Sequence, residues 1–420
     1  MNKNSELIEL KYTENNKYTN LNNSKVIFSN DGKRMIVSSF ISIKGKEDSL
    51  HERDVVGVVT VYVLKDNQWI EEAVLTPNNI KSVHNGYFGL NLSINKTCTV
   101  LMVTAHLTNV KANDDPNDKT KLYSAGCIYV FARTDSNWIL RDTLTLKDKR
   151  AKDNFGETAA LSGDGSTIAV LTPRHLKLDS LITVFKYRNN EWVELPSIEK
   201  PIRNTNIEFG GCLRLSTVGN RLFVSSKGVY YEEDMREKTG IYVVDIFERS
   251  IKISYHISNV FLDSRYLGSI LETDSIGTRL LIEGYDYIPE RPVLELCIYI
   301  AELINNKWTV IKYKPPKTTN SFVHYYYHGS FFTNSTCTIL YVPVFDRKVN
   351  KRGIAIINLT IKGWVEKSIS IIDSVDMKGY MNNTLILSKF VPISETEKVL
   401  LYTFSNSKDR LYQGVFKNES

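Results

Sequence analysis

Along the chain an apolar run, a short polar turn and a second apolar run recur in seven copies: "FSNDGKRMIVSS" from Phe28, "LSINKTCTVLMV" from Leu92, "LSGDGSTIAVLT" from Leu161, "LSTVGNRLFVSS" from Leu215, "TDSIGTRLLIEG" from Thr273, "FTNSTCTILYVP" from Phe332 and "ISETEKVLLYTF" from Ile393. Their second residues fall at 29, 93, 162, 216, 274, 333 and 394, in steps of 64, 69, 54, 58, 59 and 61. A period this regular limits the fold more than composition does, because each copy must be one unit that buries its apolar face on the next. Two apolar runs flanking a polar turn read as a β-hairpin.

Each hairpin is followed by a third run that usually opens on glycine, as in "GVVTVYVL" from Gly57, "GCIYVFAR" from Gly126, "GIYVVDIF" from Gly240 and "GIAIINLT" from Gly353. A fourth run then opens on tryptophan at Trp69, Trp138, Trp192, Trp308 and Trp364, which are all five tryptophans of the chain, each 11 or 12 residues into its repeat's third run; the fourth copy has Ile251 there. Placing every indole at one phase of a repeat predicts a packing element between neighbouring units.

Four short strands per repeat, with no helical period between them, predict an all-β chain: a seven-bladed β-propeller of four-stranded antiparallel blades in one domain spanning 1–420. The blades are expected at 24–77, 88–147, 155–201, 209–258, 267–315, 328–373 and 379–420 with 5–12. The last copy ends without a fourth strand, and "ELIELKY" from Glu6 stands before the first hairpin at the spacing of such a strand, its Leu10 aligning with Leu75. That N-terminal strand is expected to complete the last blade and close the ring, removing exposed edges.

The stretches "FGLNLSINKTCTVLM" from Phe88, "FGETAALSGDGSTIAVLTP" from Phe155 and "FGGCLRLSTVGNRLFVSS" from Phe209 resemble FG-GAP repeats, the units of the propeller at the head of integrin α chains, in a short-hairpin form. The resemblance implies the fold. It leaves function open, since one superfold hosts many activities. Calcium-binding members carry Asp-x-Asp/Asn-x-Asp-Gly-x-x-Asp in the first hairpin, because calcium needs six to eight oxygens. Here that loop offers Asp164 alone in the third copy, Asp31 alone in the first and no carboxylate in the second, so Gly163-Asp164-Gly165 reads as a tight turn.

The net charge of +6 comes without a basic block, since "LKDKRAKD" and "DRKVNKRG" mix acids with bases, so nucleic acid is not an expected partner. The N-terminus lacks a secretory h-region and no run is long enough to span a membrane, which predicts a chain that starts at Met1, is not inserted in a membrane, and is cytoplasmic or virion-associated. Cys98, Cys127, Cys212, Cys297 and Cys337 form no CxxC pair and read as small core residues in a reducing compartment.

No GxSxG, HExxH, Walker A or GxGxxG context occurs, and "SGDGST" lacks the aromatic that follows a sialidase box, so the expectation is that the chain is not an enzyme and carries no cofactor or metal. The acidic stretch "NDDPNDK" lacks the later bidentate acid of strong calcium loops. Candidate interaction residues lie on long loops. One set is His106, Asp114, Asp115 and Asp118 in the loop of residues 104–125, and the other is Tyr325, Tyr326 and Tyr327 in "HYYYHGSFF". Three adjacent tyrosines cannot all face inward from one strand. The leading expectation is a non-enzymatic protein-interaction scaffold or structural subunit, a virion component being one form of it. The alternative is a glycan or receptor recognition module in which Tyr325 to Tyr327 stack on sugar rings.

Overall fold

A computed structural model describes residues 7–10, 25–42, 55–66, 68–77, 86–113, 120–135, 137–174, 179–201, 207–228, 239–258, 266–288, 293–313, 322–324, 331–334, 336–346, 351–360, 363–371, 386–393, 398–405 and 410–417. Among them there is no helix, and so none long and apolar enough to cross a membrane. The chain is all-β. It forms several four-stranded antiparallel sheets, most of them built from strands that follow one another along the chain. The first comprises Lys25–Phe28, Arg34–Ser42, Val55–Lys65 and Gln68–Leu75; the second Leu92–Ile94, Val100–Ala105, Cys127–Thr134 and Asn137–Leu144. The third comprises Ala159–Leu161, Thr167–Thr172, Leu181–Arg188 and Glu191–Glu194, with Ile198–Glu199 also on Leu181–Arg188. Ile207–Leu215, Arg221–Gly228, Gly240–Ile246 and Ile251–Ser258 form the fourth; Tyr266–Thr273, Arg279–Ile288, Val293–Ile304 and Lys307–Tyr313 the fifth.

Beyond these, Phe322–His324 and Phe332–Thr333 both pair with Ile339–Asp346, which leads to Lys351–Thr360 and Gly363–Ile371. A further sheet joins Ile386–Ile393, Lys398–Ser405 and Arg410–Lys417, and Leu7–Leu10 pairs antiparallel with the last of these. First strands touch first strands. Lys25–Phe28 contacts Leu92–Ile94, which contacts Ala159–Leu161, which contacts Ile207–Leu215, which contacts Tyr266–Thr273; Ile386–Ile393 contacts both Phe332–Thr333 and Lys25–Phe28.

The apolar cores lie between successive sheets, as a repeat that cannot bury its face alone requires. Ile36, Val59 and Val61 of the first sheet meet Leu101, Val103 and Phe131 of the second, and Met102, Ile128 and Val130 meet Ile168, Val170 and Phe185 of the third. Phe223 and Val243 meet Leu280, Tyr299 and Trp308 in the same way. Full burial of such side chains is worth roughly 1.5–3 kcal/mol each.

The tryptophan phase serves these boundaries. Trp308 stands edge-on to Phe223 of the preceding sheet, centroids 5.9 Å apart, and Arg141 of the second sheet lies 5.7 Å from the ring of Trp192 in the third. Trp69 is fully buried, tilted against Phe28 of its own sheet.

The Phe-Gly pair and the glycine of the third strand explain one another. Phe88, Phe155 and Phe209 are buried at the entries to their sheets, each followed by a glycine with φ of 97°, 98° and 90°. The Phe155 amide donates to Ala125 O at 3.0 Å, so its backbone presses on the start of the preceding sheet's third strand. A β-carbon on Gly126, whose φ is 84°, would lie 2.2 Å from Phe155 O, and one on Gly57 would lie 1.8 Å from Phe88 O. Only glycine leaves room there.

Candidate functional site

Both ends of the sheets carry candidate residues. At one end lie the turns of the first hairpins. In "SGDGST" the Asp164 carboxylate accepts from Ser162 Oγ, Ser166 N and Ser166 Oγ at 2.5, 2.9 and 2.9 Å. Asp274 likewise accepts from Thr278 N and Arg279 N, and Asn95 and Asn334 do so through their amide oxygens. Gly163-Asp164-Gly165 is thus a turn whose acid is consumed within it.

The glycines have separate tasks. Gly165 holds φ of 79° against Asn95 of the preceding sheet, and a β-carbon on Gly163 would lie 2.8 Å from Thr217 Cγ2 of the next. Cys98 and Cys337 occupy the place of Gly165 in their copies, with φ of 56° and 52°. They sit in turns, yet both thiols are buried as small core residues are, and burial pushes them up to about 11 and about 12.

The turns also bind one another across sheet boundaries. Lys96 N donates to Gly163 O at 2.8 Å, Asp164 N to Thr217 O at 2.8 Å and Val218 N to Ser275 O at 3.3 Å. Arginines at the start of second strands reinforce this chain of contacts. Arg221 pairs with Asp245 at 2.7 Å and reaches Gly277 O of the next sheet at 2.8 Å; Arg279 pairs with Glu302 at 2.6 Å and reaches Thr336 O at 3.2 Å.

On this end the fourth and fifth sheets expose large apolar side chains. Val218 and Ile276 stand at first-hairpin tips, 44% and 55% exposed, and Phe247 and Ile304 at the ends of the third strands, 52% and 50% exposed. The Val218 to Ser275 bond joins the two tips, and Ile246 N on Asn220 O, 2.8 Å, sets Phe247 beside the first. Next to them runs a groove of about 510 Å³ whose walls include Ile276, Ile304, Arg279, Glu302 and Thr336. Sequence reasoning missed this patch. Its signal was an apolar residue in the third place of a polar turn, where other copies have Asp31, Thr97, Asp164 or Thr336.

At the other end, His106 is the one predicted site residue among those described. It is half-buried beside Tyr87, ring centroids 5.8 Å apart, and its Nδ1 is buried without a hydrogen bond. Burial lowers its pKa, opposed by the Glu157 charge. Asp114, Asp115 and Asp118, and Tyr325, Tyr326 and Tyr327, lie outside the described residues. The base of the loop bearing the three aspartates is a ribbon of Val110–Lys111 against Lys121–Leu122. Nearby, Arg174 Nε stands 3.5 Å from Asp153 Oδ1, and burial raises the Asp153 pKa against the Arg150 amide and the Arg174 charge. Non-glycine residues with left-handed backbone crowd this end: Tyr87, Ser124, Lys152, Asn154 and Arg174.

No protein-family model and no curated protein matches the sequence. Solved structures match over nearly the whole chain. Kuenenia stuttgartiensis hydrazine synthase aligns at 12% identity over 97% of this chain and 99% of its own, with a TM-score of 0.53. A polysaccharide lyase aligns at 11% over 97% and 94%, TM-score 0.49, and the β-propeller domain of the Trilobed protease from Pyrococcus furiosus at 11% over 96% and 95%, TM-score 0.48. β-Propeller proteins are thus among the structural neighbours of this all-β chain, a likeness of fold.

The neighbours correct one expectation. The hydrazine synthase, at a TM-score of 0.53, is an enzyme built on a like fold, so the inference from missing motifs that the chain is not an enzyme does not hold. The physical reason is that a sheet array can assemble a reactive constellation from loops far apart in sequence, leaving no contiguous motif to read.

Proposed function

We propose that the chain is a seven-bladed propeller of FG-GAP type, shut by its N-terminal strand, which holds a protein partner on the hairpin-tip end of its fourth and fifth sheets. The ring reading rests on the pairing of Leu7–Leu10 with Arg410–Lys417 and on the contact of Ile386–Ile393 with Lys25–Phe28. The repeat-family reading rests on the buried Phe-Gly entries.

The observation that carries the binding reading is the exposed set Val218, Phe247, Ile276 and Ile304 beside an open groove. Large apolar side chains exposed near one another on a rigid scaffold are costly to leave in water and are a mark of protein contact sites. The site thus lies at the opposite end from the loops favoured by sequence. Glycan recognition through Tyr325 to Tyr327 falls outside the described residues and is not advanced.

The test is affinity capture from the source cells with wild type and with the Val218→Ser, Phe247→Ser, Ile276→Ser variant, each checked by circular dichroism. A partner recovered by wild type and lost by the folded variant supports the reading; equal recovery by both removes it.

A further inference from the structure

The outer strand of the fifth sheet, Lys307–Tyr313, pairs with Val293–Ile304 through seven consecutive pairs, from Ile304 with Lys307 to Ile298 with Tyr313, with no shift in register. The other outer strands are interrupted or short. In the first, second, fourth and sixth sheets the pairing skips Glu72, Arg141, Ser254 and Lys367, a bulge in each. In the third the edge is split by Pro196 into Glu191–Glu194 and Ile198–Glu199, and Leu7–Leu10 offers only four pairs. Bulges and prolines turn an edge away from a newcomer, whereas a long regular edge is a template for another strand.

No strand among the described residues lies on the outer side of Lys307–Tyr313. Leu303 N donates to Thr278 O, so Leu303 bonds toward the inner strands. By alternation its neighbours Glu302 and Ile304 bond outward to Thr309 and Lys307, which leaves Trp308 and Val310 aiming their N–H and C=O groups away from the sheet. On this edge Ile311 is 53% exposed, and Lys307 and Lys312 are exposed.

The strand contains no acid, so its own charge is positive. The charged groups packed against it come in pairs: Glu302, opposite Thr309, is held by Arg279 at 2.6 Å, and Arg221, 6.0 Å from the Trp308 ring, by Asp245 at 2.7 Å. Pairing two copies of this edge would gather their lysines on one ribbon, which opposes self-association. Glutamates on an incoming strand would be attracted instead.

We infer that this edge accepts, by strand addition, an extended acidic segment of a partner protein that is apolar where it passes Ile311. The backbone of Trp308 and Val310 supplies hydrogen bonds, Ile311 an apolar contact, and Lys307 and Lys312 the selection of charge. The edge does not include Val218, Phe247 or Ile276, so it stands apart from the hairpin-tip reading.

The probe is the end-blocked, fluorescein-labelled peptide TEVTVTE. Laid antiparallel, it sets its glutamates against Lys312 and Lys307 and a valine against Ile311; TKVTVTK is its charge-reversed counterpart. Fluorescence anisotropy is followed at low ionic strength with wild type, Val310→Pro, the double variant Lys307→Glu, Lys312→Glu, and the hairpin-tip variant Val218→Ser, Phe247→Ser, Ile276→Ser. Proline at position 310 removes an N–H that points outward, a change an edge strand tolerates. The expected result is saturable binding of TEVTVTE by wild type and by the hairpin-tip variant, at least tenfold weaker in Val310→Pro. The charge variant should lose TEVTVTE to the same degree and prefer TKVTVTK. No saturable binding by wild type, equal affinity for the two peptides, or a charge variant whose preference does not reverse overturns the proposal. So does loss of TEVTVTE binding by the folded hairpin-tip variant, which would move the peptide to that patch. Failure of Val310→Pro to fold leaves the charge reversal to decide. A wild-type dimer that Val310→Pro dissociates, seen by analytical ultracentrifugation, would give the edge to a second copy and likewise overturn the proposal.

Discussion

The indole N–H of Trp138 in the second sheet donates to the carboxylate of Glu72 in the first, 3.1 Å away, across a sheet boundary. The same carboxylate takes Nε and Nη2 of Arg34 at 3.0 and 2.9 Å. Trp138 thus combines its packing at the boundary with a polar anchor, and Glu72 is that anchor.

Glu72→Ala is expected to cost about 2–4 kcal/mol, because it strands a mostly buried guanidinium and an indole N–H. Glu72→Gln keeps an acceptor and should cost less. Burial alone would raise the carboxyl pKa, but the hydrogen bonds of Arg34 and Trp138 outweigh it and hold it below its ordinary 4.5. A depressed carboxyl contributes stability that is present above the unfolded pKa and lost as pH falls through the folded one. Urea midpoints between about pH 5 and about pH 3 should therefore fall more steeply for wild type than for Glu72→Gln. Parallel curves would show that the carboxylate contributes nothing to acid stability.

Histidines set a second pH window. Burial lowers the pKa of His106 and also that of His256, which stacks on Tyr242 at 4.1 Å and bonds to the Thr239 backbone. The unfolded chain then takes up protons first as pH drops below the ordinary 6.5, so this stability is full above that value and declines below it until the folded pKa is reached. Melting temperatures at about pH 8 and about pH 5.5 should differ less in His106→Gln, His256→Gln than in wild type. An unchanged difference would exclude these imidazoles as the source.

Glycine substitutions should rank by what their β-carbon meets. Gly126→Ala combines φ of 84° with a backbone oxygen at 2.2 Å and should cost about 3 kcal/mol or more, or prevent folding. Gly163→Ala meets a threonine methyl at 2.8 Å, which can turn aside, and Thr217 Cα and Cβ no closer than 3.2 Å, and should be milder. Chemical denaturation of the two variants side by side reverses or upholds that order.

Deleting residues 1–12 removes Leu7–Leu10 and leaves Arg410–Lys417 with one partner strand. An unpaired edge both loses stability and invites association. Lower melting, or aggregation seen by light scattering, is the expected outcome; unchanged melting of a monodisperse product would defeat ring closure by this strand.

The period of the hairpins, the phase of the tryptophans and the turn at Gly163 to Gly165 were legible in the sequence because each depends on neighbours a few residues apart, where alternation and turn chemistry act. The reason for the recurring Phe-Gly and third-strand glycine was not legible. It appears only when Phe155 O lies against Gly126, two repeats in contact. The same holds for Cys98 and Cys337, which are buried as small core residues and also take the place of a glycine in turns.

Exposure was decided by tertiary structure alone. Val218 and Ile276 are as apolar as Val224 and Leu280, which are fully buried; the turn pattern puts the first pair at hairpin tips, and the folded arrangement of the sheets leaves those tips uncovered. Lys96 and Ser275 are joined by folding across 179 residues. Local chemistry determines which segments become strands and turns. Which side chains then meet, face solvent or share a charge depends on how sheets distant in sequence stack, and contacts of that range leave no local pattern to read.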